Sequence, residues 1–285
     1  MIAQNFEYQA PASLADALRL LAQQDTKVLA GGMSLIPLMK LRLAAPGQLV
    51  DIGRIADLNF IHEEGGMLRI GATTTHYQVE SSALVRSRSP LLAEAASHIG
   101  DIQVRNMGTI GGSVAHADPA ADYPASLLAL EAKLALVSAK SKREIPIAEF
   151  LVDTFTTALE PDEIVQAVVV PIEDQSAGTS YQKVVQPASG FAIVGVAARI
   201  RKSGGKIGMC RVGVTGLSGK AFRATSAEKA LEGTAGSPSD IQKASALVAE
   251  GVEANSDLHA SADYRKHLAQ VYTMRALAVA LSRTA

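Results

Sequence analysis

The chain has 285 residues, of which 48% are hydrophobic, with a formal net charge of −1 and a single cysteine, Cys210. That length and apolar content suffice for about two cored domains and exclude a disordered chain. Dispersed Lys and Arg leave no footprint for nucleic acid and no basic amphipathic membrane helix, and one thiol excludes an internal disulfide or a cysteine-ligated metal or iron–sulfur cluster held by this chain alone.

The N-terminal segment carries Glu7 and no apolar h-region, and no apolar run reaches the length of a bilayer span, so a cytoplasmic protein is expected. Ser13-Leu14-Ala15-Asp16 is a capping-box pattern, and Leu14, Leu18 and Leu21 share one helical face, which predicts a helix over 14–24. Residues 27–30 read as a strand. Past Gly31-Gly32, the apolar stretch 35–43 with Pro37 near its start predicts a short helix, and 48–52 a second strand. Residues 1–55 are thus expected as a first α/β lobe. Phe60-Ile61-His62 and Met67-Leu68-Arg69-Ile70 flank Gly65-Gly66, a hairpin signal. Ser89 as N-cap and Pro90 at the first helical position open a helix to about residue 98, and Asp118-Pro119 opens another in the same way to about 131. Strands at 133–139 and 163–170 complete a second α/β lobe over 56–175. The polar stretch 173–179 is the linker candidate. Beyond it, strands at 180–185, 192–201 and 206–214, the last two joined by the turn 202–205, precede helical segments from 225 to 283. Residues 176–285 are therefore expected as an α+β third domain.

Two glycine pairs stand out. Ala30-Gly31-Gly32-Met33-Ser34 recurs in kind as Thr109-Ile110-Gly111-Gly112-Ser113, each after an apolar run that reads as a strand. Paired glycines permit positive φ and turn backbone N–H groups toward an anion, and the serine adds a hydroxyl. One such pair is an ordinary turn; two suit a ligand with a pyrophosphate gripped from both sides, that is, a dinucleotide. Other motifs fall away. His116, Asp118 and Asp122 make a poor metal site, because Asp118 has a sufficient role as helix N-cap and two ligands are too few. Gly213 to Lys220 mimics a phosphate loop, but Val214 and Ala221 break its pattern, and the first glycine pair lacks the G-x-G-x-x-G spacing of a Rossmann turn. Asp122 at a helix start either accepts from ligand hydroxyls or is simply solvated. His76, after three threonines, either approaches the ligand or is a surface or core histidine; Lys183 and Phe191 read as a strand lysine and a core aromatic. No nucleophile–base arrangement is legible, and neither a catalytic nor a metal-ligating residue is assigned.

Three linked motifs, residues 30–39, 105–113 (Arg105-Asn106-x-Gly108-Thr109-Ile110-Gly111-Gly112-Ser113) and 117–125 (Ala117-Asp118-Pro119-Ala120-Ala121-Asp122-x-Pro124-Ala125), resemble the FAD-binding medium subunit of molybdenum hydroxylases, a family that includes carbon monoxide dehydrogenase and xanthine dehydrogenase-like enzymes. The resemblance runs over nearly the whole chain. It implies an α+β fold: two α/β lobes of a PCMH-type FAD-binding domain, then a C-terminal domain with a three-stranded antiparallel sheet and helices. By likeness, Ala30, Gly31, Gly32, Met33 and Ser34 face Thr109, Gly111, Gly112 and Ser113 across the pyrophosphate. Asp122 binds FAD hydroxyls, Ile164 contributes its backbone, Lys183 is a further contact, and Phe191 lies against the flavin ring. Leu35, His76, Ile102, Gly108 and Asp118 complete the cofactor-binding candidates. The chain departs from many relatives at Met33, at Ser113 and at Gln186-Pro187-Ala188, which leaves the ring environment open.

The resemblance also implies a division of labour in a cytoplasmic heterohexamer. A large molybdopterin subunit oxidises the substrate, a small subunit relays electrons through iron–sulfur clusters, and FAD on this chain passes them to a terminal acceptor: oxygen, NAD or a quinone. The lone Cys210 agrees with clusters ligated elsewhere. A self-sufficient flavin reductase of the same fold and a flavin-free scaffold are the alternatives.

Overall fold

In the computed structural model, which describes residues 2–174 and 176–285, the N-terminal segment builds a small parallel sheet. Its elements are β1 (Glu7–Gln9), α1 (Leu14–Leu21), β2 (Thr26–Leu29), α2 (Leu35–Lys40) and β3 (Gln48–Asp51), in strand order β1-β3-β2. Ser13 caps α1 by accepting from the Asp16 N–H, and Ala17, Leu18 and Leu21 bury the inner face of that helix. The helix stops three residues before the expected end. β1 was not legible: its Glu-Tyr-Gln is exposed throughout and carries no apolar alternation.

The second lobe begins with the expected hairpin of β4 (Ile61–Glu64) and β5 (Met67–Gly71), with Gly65 and Gly66 at φ 58° and 75°. Six short helices follow: α3 (His76–Ser81), α4 (Ala83–Arg88), α5 (Pro90–Ser97), α6 (Ile102–Met107), α7 (Ile110–His116) and α8 (Asp122–Ala129). Then come β6 (Lys133–Val137), β7 (Lys142–Pro146), α9 (Ile147–Phe150), β8 (Leu151–Asp153), β9 (Thr156–Thr157) and β10 (Ile164–Pro171). β4-β5-β10-β6-β7 form one antiparallel sheet, while β8 and β9 pair separately. Pro90 stands at the first position of α5, as expected. Two expectations fail here. Residues 102–107 are helical rather than a strand, because Asp101 caps α6 by accepting from the Val104 N–H. Asp118 caps no α-helix; its Oδ1 closes a local turn by accepting from Ala120 N–H at 2.8 Å, and α8 starts only at Asp122.

The C-terminal region carries β11 (Ala177–Val185), β12 (Ala192–Ser203), β13 (Lys206–Thr215) and β14 (Phe222–Arg223), then α10 (Thr225–Leu231), α11 (Pro238–Ala246) and α12 (Ala262–Ser282). Its antiparallel sheet therefore has four strands rather than the expected three, the fourth being a two-residue pairing to Gly213 and Val214 that is too short to show a period. The expected linker is largely structure: Ala177 to Thr179 belong to β11, and Glu173 is buried against Arg199 at 2.8 Å; Gln175 lies outside the described residues. α12 lies across β11 and β12 so closely that a Cβ on Gly178 would sit 2.0 Å from Ala280 O.

One apolar core runs through the second lobe and takes in Tyr181, Ala197 and Ala221 of the C-terminal region. A second core fills the C-terminal sheet and helices, and a third joins the first lobe to Val137 and Ile164. Cys210 lies in the second core, fully buried, and burial pushes its thiol pKa far up.

Candidate functional site

The first glycine pair leaves β2 as an open loop. Gly32 has φ 74°, a conformation glycine adopts without a Cβ penalty, and Gly31 lies so near the α6–α7 junction that a Cβ there would come within 2.1 Å of Met107 O. The two motifs separated by 75 residues of sequence are thus in backbone contact. Among the described residues, the N–H groups of Gly31, Gly32, Met33, Ser34 and Leu35 donate to no acceptor within the protein. Five successive unspent donors on a half-exposed loop make a cradle for an anion.

The second glycine pair is not a turn. Gly111 and Gly112 form the first turn of α7, behind Thr109, whose hydroxyl accepts from the Gly112 N–H at 3.1 Å. Their amides are spent inside the protein: Gly111 N–H donates to Ala72 O and Ile110 N–H to Thr74 O. Here glycine serves close packing instead, since a Cβ on Gly111 would be 2.4 Å from Ala72 Cβ. The expectation of two equivalent N–H cradles is therefore corrected to one cradle, faced by a helix start. The hydroxyls of Ser34 and Ser113 make no hydrogen bond among the described residues.

Gly108 fixes His76 against the same junction. The His76 N–H donates to Gly108 O at 2.9 Å, and a Cβ on Gly108 would meet the imidazole Nε2 at 2.5 Å. The ring is buried beside Tyr123, at 5.3 Å between centroids, and its Nδ1 has no partner. Burial, aided by Arg105, lowers its pKa to about 4, so it is neutral at pH 7.

Asp122 and Lys183 meet each other. Lys183 Nζ lies 2.8 Å from Asp122 Oδ1 and 2.9 Å from Oδ2, and donates also to His98 O at 2.8 Å, while Tyr181 OH donates to Asp122 Oδ1 at 2.6 Å. Both charged side chains are buried. Burial raises the Asp122 pKa, against which Lys183 and Tyr181 work to keep it ionised. Gly195 makes room for this network, since a Cβ there would be 2.4 Å from Tyr181 OH. Tyr181 was not singled out in the sequence; the signal for it is a strand tyrosine two residues from a lysine on the same strand face.

The remaining candidates divide. Met33, Ile102 and Phe191 are exposed apolar side chains, and Gly190, before Phe191, packs its Cα face on Gly100 just ahead of α6. Leu35 begins α2, and Asp118 holds its own turn. Ile164 is buried in the core between the first lobe and β6, so that only its backbone is available to a ligand. Among the described residues no group of three His, Cys, Asp or Glu is placed to hold a metal, and no helix is long and apolar enough to cross a membrane.

An open cradle of backbone donors beside a helix start on one mixed fold suits a ligand that carries a pyrophosphate, and so points to the class of dinucleotide-binding proteins. Residues 4–173 match the family described as FAD binding domain in molybdopterin dehydrogenase, and residues 179–280 match the CO dehydrogenase flavoprotein C-terminal domain. The chain belongs to this family of FAD-binding medium subunits. It is 40% identical to the carbon monoxide dehydrogenase medium chain of Hydrogenophaga pseudoflava, with all of both chains covered. It is 38% identical to the glyceraldehyde dehydrogenase medium chain of Sulfolobus acidocaldarius, over 95% of this chain and 96% of the other. Among solved structures, carbon monoxide dehydrogenase from Hydrogenophaga pseudoflava superposes at TM-score 0.97 with 42% identity over the whole of both chains. Quinoline 2-oxidoreductase from Pseudomonas putida 86 superposes at 0.94 with 32% identity over 99% of each.

Proposed function

We propose that this chain is the electron-transfer subunit of a molybdenum-containing hydroxylase, collecting electrons from iron–sulfur clusters of a small partner subunit while a large molybdopterin subunit oxidises the substrate. The observation that carries the reading is the run of unspent N–H donors from Gly31 to Leu35, pressed through Gly31 onto the Met107–Gly108 backbone. FAD, when bound, supplies a group that accepts electrons singly and discharges them in pairs. In this reading the first loop donates its free N–H groups to the pyrophosphate, with the hydroxyls of Thr109 and Ser113 opposite it. Asp122, held by Lys183 and Tyr181, is read as accepting from FAD hydroxyls, with Lys183 as a further contact, and Phe191, with Ile102, covers the ring from water. His76 and Gly108 hold the junction rather than the ligand, Asp118 shapes the turn before α8, and Ile164 offers backbone only. The buried, protonated Cys210 ligates nothing, which leaves the clusters to a partner chain. We further read residues 1–55 and 56–175 as the two cofactor-binding lobes and 176–285 as the flavoprotein C-terminal domain, within a cytoplasmic assembly. The test is the visible spectrum of the purified chain followed by acid release. Flavin absorption and one released FAD per chain are expected; a colourless chain that also refuses added FAD overturns the reading.

A further inference from the structure

Pro119, Ala120 and Ala121, the residues that lead into Asp122, have no side chain able to hydrogen-bond, and the N–H groups of Ala120 and Ala121 are spent on Asp118 within their own turn. What the segment offers the rest of the protein is its carbonyls, and the C-terminal sheet takes all three. The hydroxyl of Thr215, the last residue of β13, lies 2.8 Å from both Pro119 O and Ala121 O and shares its one proton between them. Gly216 N–H donates to Pro119 O at 2.7 Å, and Ala192 N–H, at the start of β12, donates to Ala120 O at 3.2 Å.

These strand ends are themselves fixed. Arg265 of α12 is buried and its Nη1 donates to Ile193 O and to Gly216 O, at 2.5 and 2.8 Å, and Gly216, at φ 78°, would bring a Cβ within 2.6 Å of Ile193 O. From β11, Tyr181 and Lys183 hold the Asp122 side chain itself. Three neighbouring strands thus grip four consecutive residues, β12 and β13 by the backbone of the turn and β11 by the carboxylate. The Ala121 carbonyl and the Asp122 nitrogen belong to one planar peptide group, so a hydroxyl that fixes that carbonyl also fixes the direction in which the chain enters Asp122. Thr215 is 1% exposed, and its methyl faces Gly195, where a Cβ would come within 2.8 Å of it. Valine keeps that methyl and the shape of the side chain; what it removes is the hydroxyl on the turn.

We propose that Thr215 is a positioning residue of the cofactor site: through its hydroxyl on Pro119 O and Ala121 O, the C-terminal sheet sets the Asp122 carboxylate for the hydroxyl groups of FAD. The proposal rests on the reading of Asp122 as the acceptor for those hydroxyls, and it makes cofactor affinity depend on a strand of the C-terminal region that is read as no part of the cofactor's own lobes.

The test is fluorescence titration of FAD into the full chain, freed of flavin, for the native sequence, Thr215→Val, Thr215→Ser, Asp122→Asn and the double variant Thr215→Val/Asp122→Asn, with thermal unfolding of each flavin-free chain recorded separately. Thr215→Val is expected to weaken FAD binding about tenfold, the loss of one hydrogen bond, and Thr215→Ser to bind as the native chain does. Once Asp122 is Asn, Thr215→Val is expected to cost nothing further, because the hydroxyl acts through that carboxylate. A hydroxyl that only stabilises the fold would lower the unfolding temperature and weaken FAD by the same factor in both Asp122 backgrounds, which overturns the proposal, as does native affinity in Thr215→Val or a loss that Thr215→Ser fails to restore. Should Thr215→Val not fold, Thr215→Ala takes its place in the same cycle. A native chain that folds and binds no FAD overturns the flavin reading and the proposal with it, whereas a native chain that binds FAD beside an indifferent Thr215→Val overturns the proposal alone.

Discussion

Gly31 and Gly112 look alike in sequence and stand in different surroundings. A Cβ at Gly31 is driven into Met107 O, a backbone atom, whereas one at Gly112 meets only the Thr109 hydroxyl at 2.8 Å. Gly31→Ala is expected to cost roughly 1–3 kcal/mol by overpacking and to lose FAD; Gly112→Ala, which gains about 1 kcal/mol of helix propensity against a strained cap, is expected to stay near neutral. Chemical denaturation with FAD quantitation on both variants checks this. The Asp122–Lys183 pair gives a second contrast. Lys183→Met strands a buried carboxylate and is expected to destabilise by about 3–5 kcal/mol, part of which Asp122→Asn in the same chain restores, read as unfolding free energies of the single and double variants. His76 supplies a pH dependence. Its folded pKa, about 4, lies below the ordinary value, so between about pH 6.5 and 4 the unfolded chain binds a proton that the folded chain refuses. Stability thus falls as pH drops through that window and levels off below it, by up to about 3 kcal/mol, a loss that His76→Gln should remove in unfolding measurements at pH 7 and pH 4. The place of the first loop was legible because paired glycines permit a positive φ, as at Gly32, whereas the second pair has the same letters inside a helix. The Tyr181 hydroxyl on Asp122 was not, since nothing local in a strand predicts a hydrogen bond spanning 59 residues.

At the scale of the element, α7 shows why a motif can be right in place and wrong in form. Thr109 takes extended backbone, φ −119° and ψ 151°, and its hydroxyl captures Gly112 N–H, which turns an expected glycine turn into a helix start. Thr109→Ala is expected to cost about 1 kcal/mol and to weaken FAD binding, whereas Thr109→Ser keeps both, measured by thermal unfolding and flavin titration. Elements with a buried face were legible: the Gly65-Gly66 hairpin, the Ser89-Pro90 helix start and the long strands of the C-terminal sheet all carry a period or punctuation mark. β1 and β7, exposed along nearly their whole length, carry none, and the two-residue β14 exists only because β13 is there to pair with.

The whole molecule is tied together across its lobes. Tyr181, Ala197 and Ala221 belong to the core of the second lobe, Gly213 lies so close to α8 that a Cβ would sit 1.9 Å from Ala125 O, and Arg283 Nη1 donates to Thr179 O and to Glu94 of α5. The second lobe and the C-terminal region are therefore expected to unfold in one calorimetric transition, and chains divided after residue 175 to be soluble only when co-expressed; two separated transitions would contradict this. The charge network around Glu131, which meets Arg199, Arg211 and Arg223, joins α8 to the same strands and adds to that coupling. Cys210 sits inside this unit as the sole thiol of the chain, sealed in apolar packing and held protonated. The native sequence is for that reason already a blank background for site-directed labelling. A cysteine placed at any exposed position reacts alone with a spin or fluorescent probe, so distances between lobes, or from this chain to its neighbours, are measurable without first removing a residue from the core.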